Sequence, residues 1–554
     1  MSASLVPAAT LPVAGRSVAA SRHGIAASSQ PLAAQAAAQI LERGGSAVDA
    51  AIAANAVQGL MEPSSNGLGG DLFALVHTAK DDALYGLNAS GWSASGMTPE
   101  LLRSKGITGE MPATGPHSVT VPGVVAGWTA LHQRFGKLPL AADLAAAIWY
   151  AENGFPVMEI TAGLWSSSAA VLAEDPESQA TFLIDGRPPA AGEVFRNPGL
   201  ARSLRRIAEN GSRGFYEGPT AEAITAVVRA HGGTMALDDL SAFEAEWVDP
   251  LEISYRGWRV AELPPNGQGI AALLMLRILE RFPLGKWGFH GARSLHAMIE
   301  AKKLAYADLL RYVGDPRFAR VPLQELLSDE NVAERARRID PGRAAARVEP
   351  SHVPGITTSR DGDTIYLAVA DEGGNIVSLI QSNYHGFGSG LTPKGCGFVL
   401  QSRGRLFTLE PGHPNTLAGR KRPLHTIIPG FMRKDGVRIG FGIMGAWNQA
   451  QAHAQFVADI ADFGMDIQQA LEAGRFTKST FDGLDVEIES SVPERARDEL
   501  RALGHQLEVR PPRTPNFGYG QAVLVDRRTG VKFGASDPRH DGAAIPAGAP
   551  CFAK

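Results

Sequence analysis

The apolar positions of this chain follow two periods, and where they change marks the segment of greatest interest. In the first half, Ala33 to Glu42 and Ala141 to Glu152 carry apolar residues at helical spacing in an alanine-rich context that favours helix, with short strands between. Ser294 to Tyr312 reads as one long helix. Charged, proline-bearing sequence then follows, from Arg335-Ala336-Arg337-Arg338-Ile339-Asp340-Pro341 to Glu349-Pro350-Ser351-His352-Val353-Pro354-Gly355. This predicts a helix and then an exposed connector across residues 331 to 362. From Asp363 to Ser378, and again from Val437 to Ile443, alternation and β-branching predict strands. Asp371-Glu372-Gly373-Gly374-Asn375 interrupts the first of these runs as a hairpin turn. No repeat of the solenoid kind is present.

Composition narrows the function classes. The 554 residues carry a net charge of −4 with 20% charged residues and no basic block of five or more, which argues against nucleic acid or an anionic membrane as partner. Arg420-Lys421-Arg422 is the densest basic cluster and is expected to be a solvated turn. The two cysteines, Cys396 and Cys551, are too few for a disulfide framework and suit a reducing compartment. Met1-Ser2-Ala3-Ser4-Leu5-Val6-Pro7 has neither a charged leader nor an unbroken apolar core, and no apolar stretch of about 20 residues follows. The expected location is the cytoplasm.

Metal and cofactor chemistry find little support. His296 and Glu300 share a helix face but lack a third ligand in sequence, and His385 and His425 lie in no metal or Gly-x-Ser-x-Gly motif. Gly386-Phe387-Gly388-Ser389-Gly390 lacks the spacing and the βαβ context of a nucleotide loop, and is expected to wrap a small active site. Neither a cofactor nor a metal is expected.

Thr364, in Gly362-Asp363-Thr364-Ile365-Tyr366, is the candidate nucleophile. A threonine hydroxyl is weak unless a base adjoins it, and a free α-amine on the same residue is such a base. That amine exists only if the Asp363–Thr364 bond is cut, giving segments 1–363 and 364–554. Several motifs lie around it in order: Gly44-Gly45-Ser46-Ala47-Val48-Asp49-Ala50-Ala51, Glu62-Pro63-Ser64-Ser65-Asn66-Gly67-Leu68-Gly69-Gly70-Asp71, Val121-Pro122-Gly123-Val124-Val125-Ala126-Gly127-Trp128 and Pro264-Pro265-Asn266-Gly267-Gln268-Gly269. With them, over nearly its whole length, the chain resembles the γ-glutamyltransferase family of N-terminal nucleophile hydrolases. Ser46 stands where that family's early signature has asparagine.

The resemblance implies an αββα four-layer sandwich in which both segments form one intertwined domain, a heterodimer of the two cleavage products, with further pairing of such heterodimers left open. It implies that Ser382 stands for a threonine partner of the nucleophile, and that Gly445 and Ala446 supply the oxyanion-binding N–H groups. For the acyl pocket it implies Tyr384, Arg403, His425 and Thr426, the positions at which this sequence departs from its relatives. No arginine lies in Gly86-Leu87-Asn88-Ala89-Ser90-Gly91-Trp92, where the family binds the α-carboxylate. The carboxylate expected for an α-amine is replaced near Leu406, and a cation, Arg403, is gained. Family membership favours hydrolysis or transfer of the acyl group of γ-glutamyl compounds such as glutathione through a Thr364 acyl-enzyme; the pocket favours an amidohydrolase for a carboxylate-bearing amide such as oxamate. A non-enzymatic, uncleaved scaffold is the reading from another class.

Overall fold

A computed structural model describes residues 15–351 and 363–549. Two seven-stranded antiparallel sheets lie face to face with helices on both outer sides. The first runs, in spatial order, Ala543–Pro546 (β14), Ile25–Ser28 (β2), Asp363–Ala370 (β8), Ile376–Tyr384 (β9), Asp71–Thr78 (β3), Ala83–Ala89 (β4) and Glu246–Val248 (β5). The second runs Ala19–Ser21 (β1), Val531–Ser536 (β13), Gly520–Asp526 (β12), Val437–Ile443 (β11), Gly430–Lys434 (β10), Trp258–Glu262 (β7) and Leu251–Tyr255 (β6). Both sheets contain strands from before and after Thr364, so the two segments share each sheet.

Side-chain period explains the layering. Along β8, Tyr366, Ala368 and Ala370 enter the core between the sheets, beside Phe73, Ile380, Phe431 and Val523. Leu367 and Val369 point the other way, into the core shared with Pro31–Glu42 (α1), Ala47–Met61 (α2), Val124–Phe135 (α3) and Leu140–Asn153 (α4). The second sheet buries its outer face against Gly269–Leu279 (α5), Ala292–Tyr312 (α6) and Asn448–Ala461 (α7). A strand covered on both faces reads as nearly continuous apolar sequence, as β8 does from Ile365 to Ala370. Glycine permits the close approach of the sheets: a Cβ on Gly442 would run into the Tyr366 ring.

The predicted helices are present with ends shifted by one or two residues, and β11 coincides with its predicted span. The Asp371–Asn375 turn closes as expected, Asp371 N donating to Asn375 O at 3.1 Å. One expectation changes. Ser351, read as part of an exposed connector, is buried: its hydroxyl lies 2.8 Å from both Asp308 Oδ2 and Asn331 Oδ1, and its carbonyl accepts from the Tyr312 hydroxyl. Sequence pattern could not show this, because the clamp is tertiary. Residues 352 to 362 of that connector, and Cys551, lie outside the described residues; Cys396 is a buried thiol. Among the described residues no helix is long and apolar enough to cross a membrane.

The early glycine-rich signature has a structural basis. Ser46 caps α2 and Asp49 completes the capping box, Ser46 N donating to Asp49 Oδ2 at 2.8 Å. Asp49 also accepts Lys137 N at 2.9 Å, tying α2 to the entry of α4. Beside it, both carboxyl oxygens of buried Asp143 have no hydrogen-bond partner among the described residues. Burial, and then the charge of Asp49, push the Asp143 carboxyl up to about 8. The folded protein therefore holds a proton there that the unfolded chain releases near pH 4, and stability is lost progressively as pH rises from about 4 to about 8. Asp143→Asn is expected to raise the melting temperature at pH 8 and leave it unchanged near pH 4, measured by thermal denaturation across that range.

Candidate active site

Thr364 occupies a register slip. Ile365 pairs with Gln381, but Asp363 pairs with Tyr384, so one extra residue of β9 is accommodated opposite Thr364, at Ser382 and Asn383. Bulges of this kind re-aim side chains at functional sites. Thr364 shares the parity of Tyr366 and so faces the second sheet, fully buried. The slip is fixed from behind by the Glu62–Gly70 segment. Asn383 N donates to Ser65 O at 2.9 Å and Asn383 Nδ2 to Asn66 O at 2.9 Å. Tyr384 then takes a left-handed conformation, φ +77°, unusual for a residue with a Cβ; its N–H donates to Ser382 Oγ at 2.8 Å.

The end of β11 supplies the opposite wall. Ile443 N donates to His453 Nε2 at 3.1 Å, and His453 Nδ1 donates to Glu262 Oε1 at 2.7 Å, a buried pair that fixes where the strand stops. The chain turns through Gly445 (φ +121°) and Ala446 (φ +53°) into α7. Alanine at a left-handed position costs about 1–2 kcal/mol, and such strain gathers at functional sites. The turn is held by its carbonyls: Asn448 N donates to Gly445 O at 2.8 Å, and Gln268 Nε2 to Ala446 O at 2.8 Å. Among the described residues the N–H groups of Gly445 and Ala446 donate to no protein acceptor, and both residues are partly exposed. Two adjacent N–H groups at an opening suit a developing oxyanion.

Arg403, in a 3₁₀ turn, is fully buried. Its Nη1 donates to Thr426 Oγ1 at 2.7 Å, and the guanidinium lies 4.7 Å from the centre of the Tyr384 ring. His425 stands beside it with both ring nitrogens engaged: Nε2 donates to Asp71 Oδ2 at 2.8 Å and Nδ1 accepts Ile427 N at 3.3 Å. Burial, and then the positive charge of Arg403, hold His425 down at about 4. Asp71 also accepts Gly91 N and Gln401 Nε2, each at 2.7 Å on Oδ1, so its carboxylate is fully used inside the protein.

Two residues of the site were given no role by sequence reasoning. Gln449 Nε2 donates to Thr364 Oγ1 at 3.1 Å. Gln268 bridges the acyl pocket to the oxyanion turn, its Nε2 donating to Thr426 O as well as Ala446 O, and its Oε1 accepting the Tyr306 hydroxyl at 3.2 Å. With them a chain of contacts runs from Ser382 through Tyr384, Arg403, Thr426, Gln268, Ala446 and Gln449 to Thr364. Gln268 lies in the Pro264–Gly269 motif and Gln449 three residues after Ala446; neither spacing alone assigns a role.

The basic cluster departs from expectation. Lys421 and Arg422 are buried, Arg422 pairing with Glu246 and donating Nε to Ser90 O at 3.0 Å, so this run is a structural brace and not a solvated turn. His505 joins His296 and Glu300 in space, a third ligating group that sequence spacing could not reveal. The trio is nevertheless largely occupied: His296 bonds His505 and Asp340 O at 2.8 Å each, and Glu300 accepts the Lys303 ammonium at 2.7 Å. The Gly386–Gly390 loop is anchored by Phe387 N on Ser64 O at 2.7 Å and by Ser389 N on Leu400 O at 2.8 Å, with the Phe387 ring against Trp165 and Phe182.

Residues 33–547 match the family model described as Gamma-glutamyltranspeptidase. The chain is 36% identical to a glutathione hydrolase-like YwrD proenzyme of Bacillus subtilis, over 93% of this chain and 96% of that protein. It is 35% identical to an oxamate amidohydrolase proenzyme of Klebsiella pneumoniae, over 95% and 98%. The solved cephalosporin acylase from Bacillus halodurans aligns with a TM-score of 0.90 at 41% identity, covering 98% of this chain and 99% of that one.

Burial and the charge of Arg403 set the protonation of His425. Because His425 is neutral when folded, the stability associated with it is complete above about pH 6.5 and is lost as pH falls towards 4. Its ring resonances are expected to stay constant from pH 5.5 to 8 in the Nε2–H tautomer. Asp71→Asn places amide hydrogens against donors and is expected to lower stability by about 2–4 kcal/mol, measured by denaturant unfolding.

Proposed function

The chain belongs to the γ-glutamyltranspeptidase family and is an enzyme of the N-terminal nucleophile type; from this premise we propose that it cuts itself at Asp363–Thr364 and then hydrolyses an amide whose acyl group bears a carboxylate and no α-ammonium. In maturation the Thr364 hydroxyl adds to the Asp363 carbonyl carbon, and the C–N bond breaks as nitrogen takes the hydroxyl proton. Water hydrolyses the resulting ester, leaving an Asp363 carboxylate and a Thr364 amine. Relatives named as proenzymes support this step.

The mature amine, an α-amino group of a class that titrates near neutrality, removes the proton from its own hydroxyl as that oxygen attacks the substrate carbonyl. The Gly445 and Ala446 N–H groups receive the oxyanion. Collapse expels the amine, which leaves protonated, and water then resolves the acyl-enzyme.

The observation that carries the substrate class is Arg403. A buried guanidinium at the pocket wall pairs with a carboxylate and repels an ammonium. The neighbouring acid, Asp71, has both oxygens committed to Gly91, Gln401 and His425, which argues against a carboxylate partner for an α-amine there. The oxamate amidohydrolase relative is named for a substrate of the same chemistry. γ-Glutamyl amides are the second reading, favoured by the family model and by the glutathione hydrolase-like relative.

Glutaryl and γ-glutamyl p-nitroanilides differ only in the α-ammonium and so separate the two readings. We expect kcat/KM at least about 10-fold higher for glutaryl, and a loss of about 10- to 100-fold for that substrate in Arg403→Gln. The reverse preference selects the γ-glutamyl reading. Intact-mass measurement should show two fragments in the wild type, the smaller beginning at Thr364, and a single chain in Thr364→Ala. An uncut, inactive wild type would leave the scaffold reading.

A further inference from the structure

We propose that Gln449 is a catalytic residue whose side-chain amide carries the negative charge that develops on Thr364 Oγ1. The inference rests on the reading of Thr364 as nucleophile. The orientation of the amide is set by the protein: Gln449 Oε1 accepts Ile428 N at 3.1 Å, so the Nε2 end faces Thr364 Oγ1, also at 3.1 Å. The residue is fully buried, and its own N–H donates to Ala446 O at 3.3 Å. One residue therefore joins the segment leading into β10, the turn before α7 and the nucleophile.

The donor's value changes along the reaction. In the resting hydroxyl it occupies a lone pair and leaves the proton of Oγ1 for the base. When water has added to the acyl-enzyme and the C–Oγ1 bond breaks, the electron pair returns to Oγ1, which is then reprotonated by the Thr364 ammonium. An N–H already aimed at that oxygen strengthens as charge accumulates on it, which is the condition for lowering a barrier. The same breakage ends maturation, when the Asp363 ester hydrolyses, so one donor serves both reactions.

A purely structural role would require only the bond to Ile428. Gln449→Glu separates the two, because a carboxylate still accepts Ile428 N but has no hydrogen for Oγ1. Gln449→Met keeps the volume and loses both bonds. We expect Gln449→Glu to mature more slowly than wild type, to hydrolyse glutaryl p-nitroanilide with kcat reduced about 10- to 100-fold and KM falling with it, and to accumulate a glutaryl adduct on the 364–554 fragment. Gln449→Met should share the kinetic defect, and circular dichroism checks that each variant is folded. Wild-type rates of maturation and turnover in Gln449→Glu, with a defect only in Gln449→Met, would assign the residue to structure and overturn the inference. An uncut wild-type chain would sink the Thr364 reading and this inference with it; a cut, active wild type beside an equally fast Gln449→Glu would sink this inference alone.

Discussion

The constraint on which the site depends is the slip between β8 and β9. Both strands are covered on two faces, so their pairing has no solvent to absorb an error, and a shift of one residue would send every side chain to the wrong layer. The slip is tolerated at Thr364 because the displaced backbone groups of Asn383 are satisfied elsewhere, its N–H by Ser65 O and its carbonyl by Ser402 N, while its side-chain amide donates to Asn66 O. From that point the hydroxyl is aimed across the gap between the sheets, where α7 and the turn before it can reach it. The αββα layering is therefore more than a scaffold: it sets one element of the site on each facing sheet.

Much of this was legible in the sequence, for identifiable reasons. Period and turn chemistry located β8, β9 and β11, because alternation and Asp/Gly-rich turns are local signals. The ordered motifs placed Thr364, Ser382, Tyr384, Arg403, Thr426, Gly445 and Ala446 in one region, and the structure gathers them there. What stayed hidden was pairing over long separations. Gln268 meets Ala446 across 178 residues and Asp71 meets His425 across 354, and no local pattern records such contacts. The same holds for Lys421 and Arg422, whose charge predicted exposure until their partners were seen.

The pocket illustrates how charge can be reassigned without changing a fold. Asp71 is turned inward and used three times over, as an acceptor for a backbone amide, a glutamine and a neutral histidine. On the proposed reading Arg403 is the charge that meets the substrate, with the Tyr384 ring and the Thr426 hydroxyl against its guanidinium. A guanidinium with two neighbours already in place loses little rotamer freedom when an anion arrives.

The interleaving of strands from the two sides of Thr364 has a consequence for what the protein is after a cut. In both sheets the products would be neighbours at several seams, so neither could leave without dismantling the shared cores. Dissociation and unfolding would then be one process, and dilution would not separate the halves on any timescale shorter than unfolding. The molecule would acquire a new terminus in its interior while remaining, mechanically, a single body.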